Sequence, residues 1–245
     1  MSESSAAAVP SPPAQPSFAE DVIDIFFQPA AVFRRRQNRS VWPPMLFVAI
    51  AIGLIFFATF NTLQPIFEAE FTRNTAKAMA NNPQITPEAL EKMRSVNLTI
   101  ARYVIGVIML LTMVVLGTIT WLVGKFFGSK QTFHSGLVVA AWSYMPRVIG
   151  AVLAGVQGLV MDPSKLNSQL AISIGPARFL DVEAANPVLY QILGRFDLIT
   201  IWVTVLIGIG MFVTGKLGKG QATAVAIVVW VIGGLPALRQ ALLAG

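Results

Sequence analysis

Few residues in this sequence are equipped for chemistry, and they lie far apart. His134 is the only histidine, at the head of an apolar run and without an acidic neighbour. A histidine base needs such a partner to hold its ring and tautomer. Ser143 sits inside the same run, but no second histidine exists to take its proton. A hydrogen bond to helix carbonyls or to a neighbouring span is its better reading. Glu88 and Glu91 stand on one helical face, where solvated carboxylates are expected rather than an acid–base pair. No H-E-x-x-H, no G-x-S-x-G and no Walker-type glycine loop occurs. The absence of cysteine excludes disulfides, thiol nucleophiles and thiolate metal sites. We therefore expect no enzyme, no catalytic residue, no metal and no cofactor.

Two charges remain that need an explanation. In "AAWSYMPRVIG", residues 140–150, Pro146 and Arg147 interrupt an otherwise apolar run. Further on, Asp197 follows Arg195 near the head of another. The elements around them decide what these charges mean.

Those elements are membrane spans. The chain is 55% hydrophobic and 12% charged, with a mean hydropathy of +0.66. Soluble domains carry about a quarter charged residues. The apolar runs are long enough to cross a ~30 Å hydrocarbon core as helices, and no alternating strand pattern suggests a barrel. The expected fold is all-α, a polytopic helical bundle with spans at about 43–63, 103–123, 133–160, 187–217 and 221–238. Residues 1–16, rich in Ser, Ala and Pro, read as a disordered tail, and 17–245 as one membrane domain. The loop expected over 64–102 starts a helix at Thr86-Pro87, which nothing breaks before the second span. Asn186-Pro187 opens the fourth span in the same way.

A short helix precedes the first span. Ser17 and Glu20 have capping-box spacing, and Phe18, Val22, Ile25 and Phe26 form one apolar stripe. Too short to span, it is expected to lie in the membrane interface or to pack on the bundle. Arg34, Arg35, Arg36 and Arg39 follow, a positive-inside anchor or a site for anionic headgroups or an acidic partner. The net charge of +6 flanks apolar runs, which argues against nucleic acid. The arginine run and the short basic loops at Lys125/Lys130 and Lys216/Lys219 place the N-terminus in the cytoplasm and the C-terminus outside.

An arginine at a helix centre costs ~2.5 kcal/mol or more on insertion scales, so Arg147 should have a partner. It lies about 21 Å along a helix from Phe133 at ~1.5 Å per residue. Asp197, about 15 Å down the fourth span from Pro187, reaches a similar depth. The expectation is a polar seam of Tyr144, Pro146, Arg147, Asp197 and Trp202 between spans three and four. A water-filled cavity around Arg147 is the alternative. Tyr144 or Ser143 would satisfy the backbone groups that Pro146 frees. Gly150, Ala154 and Gly158 recur every four residues, which lets two helices approach closely within the chain or between copies.

Four segments in order resemble the Yip-one family of five-span, Ypt/Rab-interacting membrane proteins. They are "FFQPAAVF", "AAWSYMP", "LGRFDLITIWVTVLIGIGM" with Asp197 and Trp202, and "KGQATAVAIVVWVI". The likeness covers roughly residues 18–240. It implies five spans, a cytoplasmic N-terminus and no catalysis. The short tail is similar to that of the bacterial branch, so binding of small GTPases is not carried over. The expected partner is the lipid bilayer of a bacterial inner membrane, with room for a homo-oligomer or another membrane protein. The leading expectation for function is a non-enzymatic scaffold or interaction protein; the alternative is a transporter or lipid-moving protein that uses the seam around Arg147 and Asp197.

Overall fold

The structure, a computed structural model, describes residues 16–81 and 86–242. The tail expected over 1–16 lies outside them but for Pro16. Helices α1 (Phe18–Phe27) and α2 (Pro29–Arg36) precede α3 (Trp42–Asn81). Then come α4 (Pro87–Tyr103), α5 (Ile105–Phe126), α6 (Phe133–Ser143) and α7 (Pro146–Val160). Three short 3-10 turns at Pro163–Lys165, Gln169–Ile172 and Pro176–Phe179 lead to α8 (Pro187–Gly194), α9 (Leu198–Thr214) and α10 (Lys219–Leu242). No strand occurs among the described residues.

Among the described residues, four stretches are long and apolar enough to cross a bilayer: Trp42–Ala76, Ile105–Phe126, Phe133–Val160 and Lys219–Leu242. Helices α8 and α9, bent by 54° at their junction, make a fifth when taken together. The outer faces are apolar, as lipid contact requires: Leu111 and Val115 of α5 and Ile227 and Val231 of α10 are exposed. Inside, Trp142, Phe33, Met113, Met145 and Leu206 form the main core, and Met211, Val225 and Val229 a second one against α10. A third, small cluster of Leu63, Ile66 and Leu166 lies under the 3-10 turns.

Three expectations about the spans are corrected. Helix α3 does not stop near residue 63 but continues through Pro65 to Asn81, and most of the loop expected over 64–102 is helical. The extension is braced polar side to polar side: Arg94 of α4 meets Glu68 at 2.6 Å, and Gln64 donates to Glu68 at 2.7 Å. The helix expected to run unbroken into the second span has one irregular residue, Val104. The Val104 and Ile108 N–H groups still bond to Ile100 and Val104 carbonyls, both at 3.0 Å, so the ladder hardly opens. The fourth span breaks at Arg195–Asp197, where Asp197 acts as the N-cap of α9 rather than as a mid-helix residue. Short polar side chains compete with helical backbone bonds, which is why Asp favours caps over helix interiors.

The N-terminal hairpin resolves the choice left open for α1. Its capping box is formed: the Ser17 hydroxyl accepts from Glu20 N–H at 3.2 Å, and the Glu20 carboxylate accepts from Ser17 N–H at 2.5 Å. That backbone N–H, with the hydroxyl, holds the Glu20 carboxyl below its ordinary range. The apolar stripe packs on the bundle. Phe18 meets Phe47 and Trp142 at ring distances of 5.8 and 5.7 Å, and Phe26 meets Trp202 at 5.1 Å. Ile23 and Phe27 stay exposed on the far side and are what α1 offers to an interface. Asp21, off the stripe, is nevertheless fully buried, because Arg35 and Arg36 of α2 both fold back onto its carboxylate, and Arg35 also reaches Asp24. Half of the arginine run is thus turned inward as ion pairs, while Arg34 is exposed. The Arg39 carbonyl bonds to His134 Nε2 at 2.9 Å, which gives that histidine a structural task.

Candidate functional site

The seam is built where two helices break side by side. Pro146 has no N–H to give, so α6 ends at Ser143 and α7 begins at Pro146 as its first residue. The chain crosses the gap on tightened bonds from Met145 N–H to Trp142 C=O, 3.3 Å, and from Arg147 N–H to Tyr144 C=O, 2.9 Å. Backbone bonds of this 3-10 type, not side chains, cover the break. The Ser143 hydroxyl, expected to help, is buried without a partner. Opposite, α8 closes with Arg195 and Phe196 N–H groups bonding three residues back, at 3.0 and 3.1 Å. Asp197 then turns extended and caps α9, its Oδ1 accepting from Thr200 N–H at 3.1 Å.

The loop after α7 fills the gap between α8 and α9. Ile174 N–H donates to Asp197 Oδ2 at 2.7 Å, and the Ile174 carbonyl accepts from Leu198 N–H at 3.0 Å. Gly175 passes so close that a Cβ there would stand 3.0 Å from the Asp197 Cα and 3.1 Å from the Phe196 carbonyl oxygen. Farther out, Gln157 of α7 pins the same loop through the Ile172 carbonyl at 2.8 Å. Irregular backbone at membrane depth is tolerated where protein satisfies its polar groups, and here Asp197 does most of that.

Arg147 and Asp197 come together, but not as a direct ion pair. Arg147 Nη2 donates to Thr200 Oγ1 at 3.1 Å, and that hydroxyl lies 3.4 Å from Asp197 Oδ1. Thr200, which sequence reasoning missed, is the relay; its only signal was its place one turn into a helix capped by Asp197. The Tyr144 ring lies 5.8 Å from the guanidinium carbon, within cation–π range. Trp202 is not part of the seam, since its ring packs on Phe26 instead. Arg195, also missed as a site residue, is tied to α10: its Nη2 donates to the Trp230 carbonyl at 2.6 Å, its guanidinium lies 5.3 Å from the Trp230 ring, and Trp230 Nε1 donates back to the Arg195 carbonyl at 3.2 Å.

Beside the relay lies a cavity of about 390 Å³, between α3, α5, α7, the head of α9 and the Gln169–Ile174 loop. Arg147 and Asp197 are its charged lining residues, and Phe56, Leu63, Ile66, Phe67, Ala151 and Ala154 make most of its wall. The small-residue stripe divides accordingly. Gly150 packs on Ile199 of α9, Gly158 on Leu63 of α3, and Ala154 between them faces the cavity. Gly155, outside the stripe, meets Thr59 of α3. Each of these glycines packs within the chain.

Fold and site together define a polytopic helical membrane protein with a buried polar relay at two broken spans. The chain belongs to the Yip1 domain family: the family's model matches residues 23–238, in agreement with the resemblance carried by the four segments. It is similar to "Membrane protein YknW" of Bacillus subtilis (strain 168), at 22% identity over 211 residues, 84% of this chain and 83% of that protein. No solved structure matches.

Proposed function

We propose that this is a non-enzymatic, lipid-moving membrane protein, working through the cavity between α3, α7 and α9. The supporting observation is the side-by-side break of two neighbouring spans around a cavity that holds one guanidinium. Discontinuous helices that meet at depth are how many membrane transporters build their binding sites, because freed backbone groups and side chains there can face a cargo. An intramembrane arginine is expensive, and a purely structural bend at Pro146 would not need one. The test is reconstitution into liposomes that carry a fluorescent lipid, with inner-leaflet lipid protected from a reductant. Loss of that protection at a rate set by the protein is expected, and Ala154→Phe, which fills the cavity, should slow it. Movement no faster than in protein-free liposomes would sink the reading.

A scaffold role is the second reading, favoured by the N-terminal hairpin. Ion pairing fixes α1 on α2 and leaves Ile23, Phe27 and Arg34 exposed on one preorganised surface. Co-purification from native membranes separates the readings, since a scaffold brings its partner with it. The setting we propose is a bacterial inner membrane with the hairpin in the cytoplasm. The support is that the two short basic loops, Lys125/Lys130 and Lys216/Lys219, meet at one end of the bundle, to which the end of the arginine run is joined by the Arg39 carbonyl on His134. There Lys130 N–H bonds to the Gly215 carbonyl at 3.1 Å, and Lys125 Nζ bonds to the Gln131 carbonyl at 2.9 Å.

A further inference from the structure

The donors and acceptors around the cavity do not balance. Asp197 is engaged on both oxygens, by Ile174 N–H, Thr200 N–H and the Thr200 hydroxyl. Arg147 has five N–H donors and makes one side-chain hydrogen bond among the described residues, to Thr200. It lines the cavity, and its Nε and Nη1 are not fully enclosed by protein. Asp197, the one carboxylate that lines the cavity, is thus already engaged, while Arg147 keeps most of its donors. What the cavity lacks is an anion with several acceptor oxygens, which is what a guanidinium fork binds best.

The rest of the wall says what that anion must carry. Polar side chains other than the two charges, Gln169, Ser173 and Thr200, lie on the loop and the head of α9, while Phe56, Leu63, Ile66 and Phe67 of α3 and Ala154 of α7 offer nothing to a small hydrated ion. The latter suit a hydrocarbon chain. A second, more polar cleft of about 730 Å³ lies towards the ends of α8 and α10, with Glu70, Arg73, Ser168 and Tyr190 in its lining. Gln169 and Leu170 line both spaces, so this short turn is the partition between them. It is latched by Glu70, whose carboxylate accepts from Gln169 N–H at 2.9 Å and from Gln169 Nε2 at 3.1 Å. The cavity thus adjoins a hydrophilic cleft through one turn of chain, a fitting neighbourhood for a molecule with a polar end and an apolar end.

Resting on the lipid-moving reading, we propose that the cavity's ligand is an anionic amphipath, its carboxylate or phosphate on Arg147 and its hydrocarbon chain along the α3–α7 wall. The test uses the full-length protein in phosphatidylcholine nanodiscs at alkaline pH, with two radiolabelled probes that share one chain, oleate and oleyl alcohol. Wild type should bind oleate about tenfold or more tightly than the alcohol, the effect of a charge-assisted hydrogen bond. Arg147→Gln should erase that difference, Arg147→Lys should keep most of it, and Ala154→Phe should weaken both probes. Displacement of oleate by phosphatidylglycerol but not by added phosphatidylcholine would make the source a phospholipid; displacement by neither would make it a free acid. Equal affinity for the two probes, both weakened by Ala154→Phe, would overturn the anion proposal and leave the cavity as a lipid site. Binding of neither probe would overturn the lipid-moving reading itself. Should Arg147→Gln fail to fold, the wild-type comparison of oleate with oleyl alcohol still decides.

Discussion

Arg147 and Asp197, fifty residues apart in sequence and on adjacent broken spans, are joined through the hydroxyl of Thr200, not directly. The arrangement lets Asp197 do three things: it caps α9, holds the Ile174 backbone and receives part of the arginine's charge through the hydroxyl. The carboxylate is thus a structural post, and the guanidinium is the member left with free donors.

The relay predicts an asymmetric mutant cycle. Asp197→Ala removes a cap and orphans the Ile174 N–H, and should cost about 2–3 kcal/mol in a detergent unfolding assay. Arg147→Ala should cost less, because its remaining donors are not fully enclosed by protein. The coupling between the two should be about 0.5–1.5 kcal/mol and should vanish in a Thr200→Val background. Coupling that survives Thr200→Val would mean a direct pair.

Asp21 should be the most sensitive residue of the N-terminal hairpin. It is fully buried beneath two arginines, and removing one partner of a buried pair leaves charge uncompensated. Asp21→Ala should destabilise the hairpin by about 3 kcal/mol and expose its protease sites. The triple variant with Arg35→Gln and Arg36→Gln should lose less than the sum of its parts. If Asp21→Ala leaves proteolysis at residues 28–41 unchanged, the pairing does not hold the hairpin.

Gly175 should tolerate no side chain. Its neighbours at 3.0–3.1 Å are the backbone of Asp197 and Phe196, which cannot swing aside as a side-chain tip can. Gly175→Ala should cost about 1–3 kcal/mol and loosen the Gln169–Ile174 loop, read as faster hydrogen exchange there. The same substitution at Gly128, whose surroundings are open but whose φ is +81°, should act through backbone strain alone and leave the loop's exchange unchanged.

Topology can be read with reporter fusions. Gly128 and Gly218 should report the cytoplasm and Ser164 the opposite side. Ser164 is exposed, whereas Gly175 is packed against the backbone of Phe196 and Asp197; Pro83, on the same expected side, lies outside the described residues. A cytoplasmic signal from Ser164 would reverse the orientation.

The sequence by itself determined the membrane class, the apolar runs that become four or five candidate spans, and the family. Each of these is written in local composition or in chain order. Runs of apolar residues that exceed a bilayer's thickness leave few choices, and a proline announces its own break at Ser143–Pro146. The depth argument brought Arg147 and Asp197 to one level, since helix rise is constant. Only the tertiary structure decided how they meet. The α8–α9 break has no proline to announce it, only Gly194 at the close of α8; the loop from residue 170 to 175 inserts there and offers Asp197 a backbone N–H to hold. The inward turn of Arg35 and Arg36 likewise depends on α1 folding back on α2, which buries Asp21. An acidic residue off an apolar stripe reads as solvated until a second helix covers it. The cavity, too, belongs to the tertiary structure: Gly150 packs on Ile199 of α9 and Gly158 on Leu63 of α3, and Gly150 and Ala154 line the space between the helices, which small-residue spacing along the chain does not reveal.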